Sequence, residues 1–518
     1  MATVLETDVL VFGDEVESVL TAVSAARTGV KVRLVRRSMG FLGGLSTRGG
    51  LAYMDITPAC KSPIFKEFTE GAGVKHVALE PQRAHDVLEA LLVEAGVTVH
   101  SGATYNARYE NNRWLTSPYL QTGETISAQV LIDATPDADV ARWMKVPFIR
   151  GLGGLLGPGF EFLGVSPVFK LHNVGVEELR AFEAGLRAKP KTRDILESAL
   201  PFHTEAQKND FVTRPTYAPP DGDYLDILNP VIGVYYHLWR HNNDPSSYTQ
   251  AFASIDGANI ALLPDANTGK QVLAFNGLVF QMGYRFSDEA CFEALLAYSH
   301  GAALPEYMQS EMRAFERFLK EEAGFSRAKV VPPEDLYVRQ LLTMLAQKNL
   351  TAEDMIRGGV APEKAIGTSS YWLDFRGIDL RRNYPELNLP KPVFNVGLEQ
   401  TLPLLSEPTP KLENLAFVSR SAGYSPLGQG AGRIVQNNVM VGEALGIAAA
   451  LCVLGKTTLG DVIENGIGQV RDALTHRNGG AIKLEGQQLW TDALIKESAL
   501  LADDNAVVEA HRNELMLV

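Results

Sequence analysis

The turn GDEVES, Gly13 to Ser18, stands between a short apolar run, Asp8 to Phe12, and a segment with apolar residues at helical spacing, Glu17 to Thr28. In a strand, tight turn and helix of this kind the pattern GxGxxG holds a dinucleotide pyrophosphate. Its first glycine makes the turn, its second lets backbone approach the phosphates, and its third lets the helix pack on the strand. Here Gly13 keeps the first position, while Glu15 and Ser18 stand at the second and third. Asp14 and Glu17 place two more carboxylates at a helix N-terminus that ordinarily attracts anions. At roughly 5 Å and an effective dielectric of about 20, each carboxylate opposes a phosphate charge by ~3 kcal/mol. The same acids suit the helix dipole by themselves, so the turn also reads as purely structural. Arg36 and Arg37 follow the second strand, Val30 to Val35, where an acidic residue would hold the adenosine ribose. They can neutralise a phosphate or the nearby acids, and arginine there also suits the 2′-phosphate of NADP.

Three other patterns carry less chemistry. Gly43 and Gly44, in the loop Ser38 to Asp55, allow close backbone approach to a flat ligand, or mark an ordinary mobile loop. GLGGLLGPG, Gly151 to Gly159, lacks the lysine and following helix of a phosphate cradle and reads as a flexible exit. His237 and His241 have the i, i+4 spacing of metal ligands on a helix, but no glutamate lies between them and no third ligand is in sight; no metal site is expected.

These residues have to be positioned by alternating strands and helices. Glu80 to Gly102 reads as a helix and a strand, and the segment from Arg113 to Thr135 reads as a β-meander returning to a buried strand, Val130 to Ala134. At 518 residues and 46% hydrophobic, the chain can bury large cores in two or more domains. A formal charge of -13 argues against nucleic acid or an anionic membrane as partner and leaves a small-molecule substrate. Homo-oligomerisation stays open. Cys60, Cys291 and Cys452 form no CxxC pair, which suits a reducing compartment. With no apolar run of 18 residues and a first strand near Asp8, a soluble cytoplasmic protein is expected.

Several segments together resemble the FAD-dependent oxidoreductase family of glutathione-reductase-type fold, over most of residues 5 to 485. Ala134, Thr135, Pro136 and Asp137 resemble its ATGD-like turn, with proline for glycine. Leu336 to Gly358 resembles its arginine-containing segment, with Arg339 and Gln340 at the centre, and Tyr371 to Gly377 a segment that in relatives carries Asp-x-His, here Asp374, Phe375 and Arg376. The strongest match is Leu412 to Leu451, which resembles the closing strand, flavin-contacting loop and long helix; Ser419 and Arg420 stand where relatives have Gly-Arg.

The resemblance implies a Rossmann-like α/β three-layer domain, discontinuous over 1–150 and 395–456, with an inserted α+β substrate or cap domain over 160–394 and a helical C-terminal extension over 457–518. It implies FAD, held by Gly13, Glu15, Ser18, Arg36, Arg37, Gly43, Gly44, Leu45, Ser46, Ala134, Thr135, Arg420, Gly428, Gln429, Gly432, Arg433 and Ile434. Catalytic candidates near the flavin are Arg339 and Arg376 as anchors for an anionic substrate, Tyr424 or Tyr53 as proton donor, and Arg433 as a positive charge. The expected activity is hydride transfer between flavin and a small, anionic organic substrate. The alternative is a flavin-free member kept for binding or assembly, to which the departures at Glu15, Ser18, Arg36, Pro136 and Ser419 point.

Overall fold

The computed structural model describes residues 4–37, 40–101, 106–117, 124–199, 209, 212–213, 216, 218–219, 222–227, 231–244, 253–264, 271–378, 380, 383–384, 389–404 and 414–516. Of the expected segments, Ser38 and Met39 of the glycine loop, Gly102, 118–123 of the meander and 412–413 lie outside them.

Val9–Phe12 is buried on both faces, as the central strand of a parallel sheet has to be. The sheet runs, edge to edge, Leu415–Phe417, Val130–Asp133, Val9–Phe12, Val32–Arg36 and Thr98–Ser101, all parallel. Chain order reverses between Val9–Phe12 and Val130–Asp133, with Phe12 opposite Asp133 and Asp133 opposite Phe417. The crevice beyond such a reversal, at the carboxyl ends of the strands, is where doubly wound sheets bind ligands. The meander forms a separate small sheet, Val4–Glu6, Thr125–Ala128, Arg113–Thr116 and Arg108–Glu110. The inserted segment builds an antiparallel sheet ordered Tyr224–Ile227, Ala253–Pro264, Gln271–Phe280, Phe169–His172 and Lys329–Val331. The amphipathic helix Glu306–Glu322 buries Met308, Met312, Phe315 and Phe318, with Phe315 packed on Phe169 and Phe275 of this sheet.

Helix Val16–Arg27 is held between the sheet and the long helix Val435–Gly455, which is long and apolar enough to cross a membrane yet is mostly buried inside the protein. Two glycines set the spacing of the pair. A Cβ on Gly442 would stand 2.2 Å from Thr21 Oγ1, and one on Gly446 2.6 Å from the Thr21 carbonyl and 2.9 Å from the Ala25 nitrogen. The carboxy-terminal helix therefore lies directly on the backbone of the first, completing the fold across more than 400 residues of sequence.

The glycine run expected as a flexible exit is tied down. Gly153 and Gly154 donate their N–H groups to Glu161 at 2.9 Å each, and Leu152 N–H donates to the Glu161 carbonyl. Five of its glycines have φ between 45° and 83°, and the resulting turn presents amides that a carboxylate can hold, so Glu161 fills it. The C-terminal extension is helical over Leu459–Asn465, Ile467–Asn478, Asp492–Glu497 and Ala499–Met516, and the last helix returns to the site end of the sheet.

Gly446→Ala is expected to lower stability by ~1–3 kcal/mol through overpacking against the Thr21 and Ala25 backbone, whereas Gly185→Ala, in helix Val176–Arg187 with nothing within 4 Å of its added Cβ, should raise it by ~0.5–1 kcal/mol. Denaturant unfolding of the two variants checks both signs.

Candidate functional site

Gly13 has φ 130°, and a Cβ there would meet the Ala134 carbonyl at 2.5 Å. Ser18 donates its hydroxyl to the same carbonyl at 2.7 Å. The serine at the third position of the glycine pattern is thus a hydrogen-bonded clamp between the first helix and the neighbouring strand end. Across the crevice, the inaccessible Asp133 accepts from the Thr135 N–H, the Thr135 hydroxyl and the Ala141 N–H at 3.1, 2.7 and 2.7 Å. Thr135 in turn accepts from Asp139 N–H, which starts the short helix Asp139–Trp143. Burial pushes the Asp133 carboxyl up to about 6.

Glu15 is the N-cap residue of Val16–Arg27, but its side chain does not cap the helix. It reaches to the glycine loop, where the Leu45 N–H donates to Oε2 at 2.8 Å. Gly43 (φ 98°) and Gly44 (φ 42°) make this approach feasible: a Cβ on Gly44 would collide with the Glu15 carboxylate at 2.3 Å. Gly43 N–H donates to the Asp14 carbonyl at 2.7 Å, so loop and turn are joined through backbone as well. Ser46 closes the single 3-10 turn Gly44–Ser46 and is inaccessible. Burial, with Glu17 and Asp14 adjacent, pushes the Glu15 carboxyl up to about 8 against the pull of Arg420.

Glu15 lines a cavity of about 410 Å³ together with Asp14, Arg37, Arg48, Arg420 and His300. Its arginines already hold carboxylates. Arg48 pairs with Asp14 at 3.3 Å and Asp335 at 2.8 Å, Arg37 with Asp139 at 3.0 Å, and Arg420 with Asp137 at 3.3 Å. Ser299 and His300, at the end of helix Asp288–Ser299 of the inserted segment, close the cavity over Asp137 and Asp139, with His300 Nε2 2.9 Å from Asp139 Oδ1. Arg36, by contrast, donates to Ser101 Oγ at 2.7 Å and the Gly40 carbonyl, and is not among the cavity's lining residues.

Further along the crevice a second space of about 30 Å³ is lined by Leu45, Tyr53, Asp55, Arg339, Arg433 and Ile434, among others. Arg433 donates to the Tyr337 hydroxyl and to Asp374, both at 2.6 Å. Arg339 donates to the Gly164 carbonyl at 2.7 Å and Ser166 Oγ at 3.0 Å, and its guanidinium lies 4.3 Å over the Tyr337 ring. Burial, with Arg376 and Arg433 beside it, brings Arg339 down to about 10. Arg376 donates to the Asn276 carbonyl at 2.8 Å. Desolvation pushes Asp55 up to about 6. Tyr53 therefore sits at this space, but Tyr424 does not: it is inaccessible, packed under Gly432, with its hydroxyl accepting from Asn437 at 3.0 Å. Gly428 lies 2.5 Å, by its added Cβ, from the Leu350 carbonyl and starts the short helix Gln429–Gly432; Gln429 donates to the Arg420 carbonyl at 2.7 Å.

FAD, expected from the sequence, finds chemistry to meet here. The buried Nε atoms of Arg420 and Arg433 and Oε1 of Gln429 have no hydrogen-bond partner among the described residues, and such atoms call for ligand or water. The 410 Å³ cavity lies within the range of small-molecule pockets, about 300–1,000 Å³, over the helix N-terminus that receives pyrophosphate. The ring end fits by its polar groups but is filled by side chains. The Tyr337–Arg433 pair bounds this space. At the pyrophosphate end the fit depends on Glu15.

Sequence reasoning missed Asp139, His300 and Asp504. Asp504, in the C-terminal helix Ala499–Met516, is inaccessible and accepts from Ser425 Oγ at 2.5 Å and Leu427 N–H at 2.9 Å, bracing the loop before Gln429. A lone histidine and two aspartates on separate helices carry no local pattern, so nothing short of the fold could have found them. Among the described residues no group of three His, Cys, Asp or Glu is placed to hold a metal.

Burial works against ionisation of Asp139, yet His300, Arg37 and Arg142 hold it down to about 2. Since an unfolded aspartate titrates near 3.9, the folded carboxylate stabilises the protein by about 2 kcal/mol above that pH, and the contribution is lost as pH falls toward 2. Asp139→Asn should accordingly be less stable than the parent at pH 6, with the gap narrowing below about pH 4; urea unfolding across that range measures it.

A family model described as FAD dependent oxidoreductase matches residues 8–474. No curated protein sequence matches the chain. Among solved structures, the chain is similar to THI4 from Thermovibrio ammonificans, 19% identical over 28% of this chain and 66% of that one, with a TM-score of 0.23. It is similar to the thioredoxin reductase of T. acidophilum, 16% identical over 25% of this chain and 36% of that one, TM-score 0.18. The flavin-dependent monooxygenase PieE, in complex with FAD and substrate, is 11% identical over 99% of this chain and 72% of that one, TM-score 0.35. The chain thus spans just under two thirds of THI4 and little more than a third of the reductase. Because the family match runs unbroken from the glycine turn through the inserted sheet to the buried carboxy-terminal helix, the chain belongs to the FAD dependent oxidoreductase family, and its cofactor is FAD.

Proposed function

We propose that the protein transfers hydride between its flavin and a small organic anion bound at the Arg339, Arg376 and Arg433 cluster. The supporting observation is the charge there: Arg339 and Arg433 line the space and Arg376 acts on Arg339 from beside it, against the carboxylates Asp55 and Asp374, while Arg420, which also lines it, is paired with Asp137. FAD, when bound, supplies the two-electron chemistry.

The chain's own groups then have separable tasks. Arg339 is fixed by Gly164, Ser166 and the Tyr337 ring, so its guanidinium presents a rigid fork to a carboxylate. Arg433, whose Nε lacks a partner among the described residues, adds a second charged donor. Apolar Leu51, Met54 and Val435 keep the space dry, which strengthens both interactions. Asp55, brought up to about 6, can hold or release a proton near neutral pH, with the Tyr371 hydroxyl bonded to it and Tyr53 lining the same space.

The FAD-loaded protein, mixed anaerobically with a panel of small carboxylates and their neutral amides, tests this. Flavin bleaching by the acids and not by the amides is the expected result; equal bleaching by both would sink the anionic-substrate reading. Arg376→Met should raise the half-saturating concentration of an active acid by ~10–100-fold, the loss of one hydrogen bond to a charged group at ~1.5–3 kcal/mol.

A further inference from the structure

We infer that Glu15 acts in this protein as a carboxylic acid donor to the FAD pyrophosphate, so that the cofactor is held tightly only while Glu15 keeps its proton. The inference rests on the FAD site described above and concerns its phosphate end.

Most donors of the glycine loop are already engaged there. In the glycine loop, Gly43 N–H is engaged by the Asp14 carbonyl, Leu45 N–H by Glu15, Ser46 N–H by the Gly43 carbonyl and Thr47 N–H by the Gly44 carbonyl. Arg37, Arg48 and Arg420 are each paired with an aspartate. At the position where glycine lets backbone approach phosphate in the usual pattern stands Glu15, whose side chain lines the cavity. Only one of its two oxygens, Oε2, has a hydrogen bond among the described residues. An ionised Glu15 has no proton to donate and repels phosphate. Protonated, it has one O–H donor and can keep the Leu45 bond through the other oxygen.

Every element around Glu15 contributes charge, and the sum favours the proton. Its own turn and helix bring Asp14 and Glu17. The loop after Val130–Asp133 brings Asp137 and Asp139. The inserted segment brings Glu334, Asp335 and His300. Against these acids stand Arg37 after the second strand, Arg48 of the glycine loop and Arg420 after the last strand. Burial and the neighbouring Glu17 push Glu15 up to about 8, so the acid form prevails at neutral pH. FAD affinity should then be level below about pH 8 and fall tenfold per pH unit above it, as the free protein loses a proton the complex must retain.

The test is the dissociation constant of FAD for the full-length apoprotein, read by flavin fluorescence from about pH 6 to about pH 10, with circular dichroism confirming that the fold persists. Glu15→Gln keeps a donor and removes the titration, and Glu15→Gly removes the acid altogether. A parent affinity that declines above about pH 8 while both variants stay level supports the inference. A parent curve as level as theirs, or variants that decline with the parent, overturns it and leaves the FAD reading standing. Failure of all three proteins to bind flavin at any pH overturns the FAD reading itself, and this inference with it.

Discussion

At the carboxyl ends of the parallel strands, backbone N–H groups of turns and helix starts point into the crevice with no strand partner, and the fold requires that each be satisfied. This chain meets that requirement with its own buried carboxylates. Asp133 takes Thr135 and Ala141, Glu15 takes Leu45, Glu161 takes Gly153 and Gly154, and Asp504 takes Leu427. An unmade hydrogen bond on a buried amide costs ~1–3 kcal/mol, so each of these four acids fixes the loop whose amides it accepts. Each is also pushed above its ordinary range by burial, to between about 6 and about 8. Structural work and proton-holding capacity therefore coincide in the same residues.

The two ends of the crevice differ in charge for a related reason. At the nucleotide end, arginines and acids are interleaved and mutually paired, so little net field is left for a phosphate. At the ring end, Arg339, Arg376 and Arg433 crowd together, and burial with mutual repulsion lowers Arg339. The inserted segment contributes to both, through His300 at the first and through Gly164, Ser166 and Asn276 around the arginines at the second.

The C-terminal extension belongs to this arrangement although it lies partly beyond the family match, which ends at residue 474. Asp504 holds the loop that leads into Gln429–Gly432. Ser24 and Thr28 of the first helix are held by Arg477, which stands 3.8 Å from Glu443 of the long helix. These contacts connect the last part of the chain to the first helix and to the loop before Gln429.

Period and punctuation in the sequence determined the strand, turn and helix at Val9–Arg27 and the return strand before Ala134, because alternation and helical spacing are local properties, whereas the long helix after Ile434 is expected from the resemblance of Leu412 to Leu451. They also identified the turn at Glu15, the glycine pair Gly43 and Gly44, and Arg420 and Arg433 as parts of one crevice, through the resemblance those segments carry. Tertiary structure alone decided which way Glu15 points, that Arg36 serves Ser101 while Arg37 lines the cavity, that Tyr53 and not Tyr424 reaches the ring end, and that Asp139, His300 and Asp504 take part. The direction of a side chain, the partner it finds and the water it loses depend on groups hundreds of residues away. No local pattern records them; only the packed chain brings those groups within hydrogen-bonding distance.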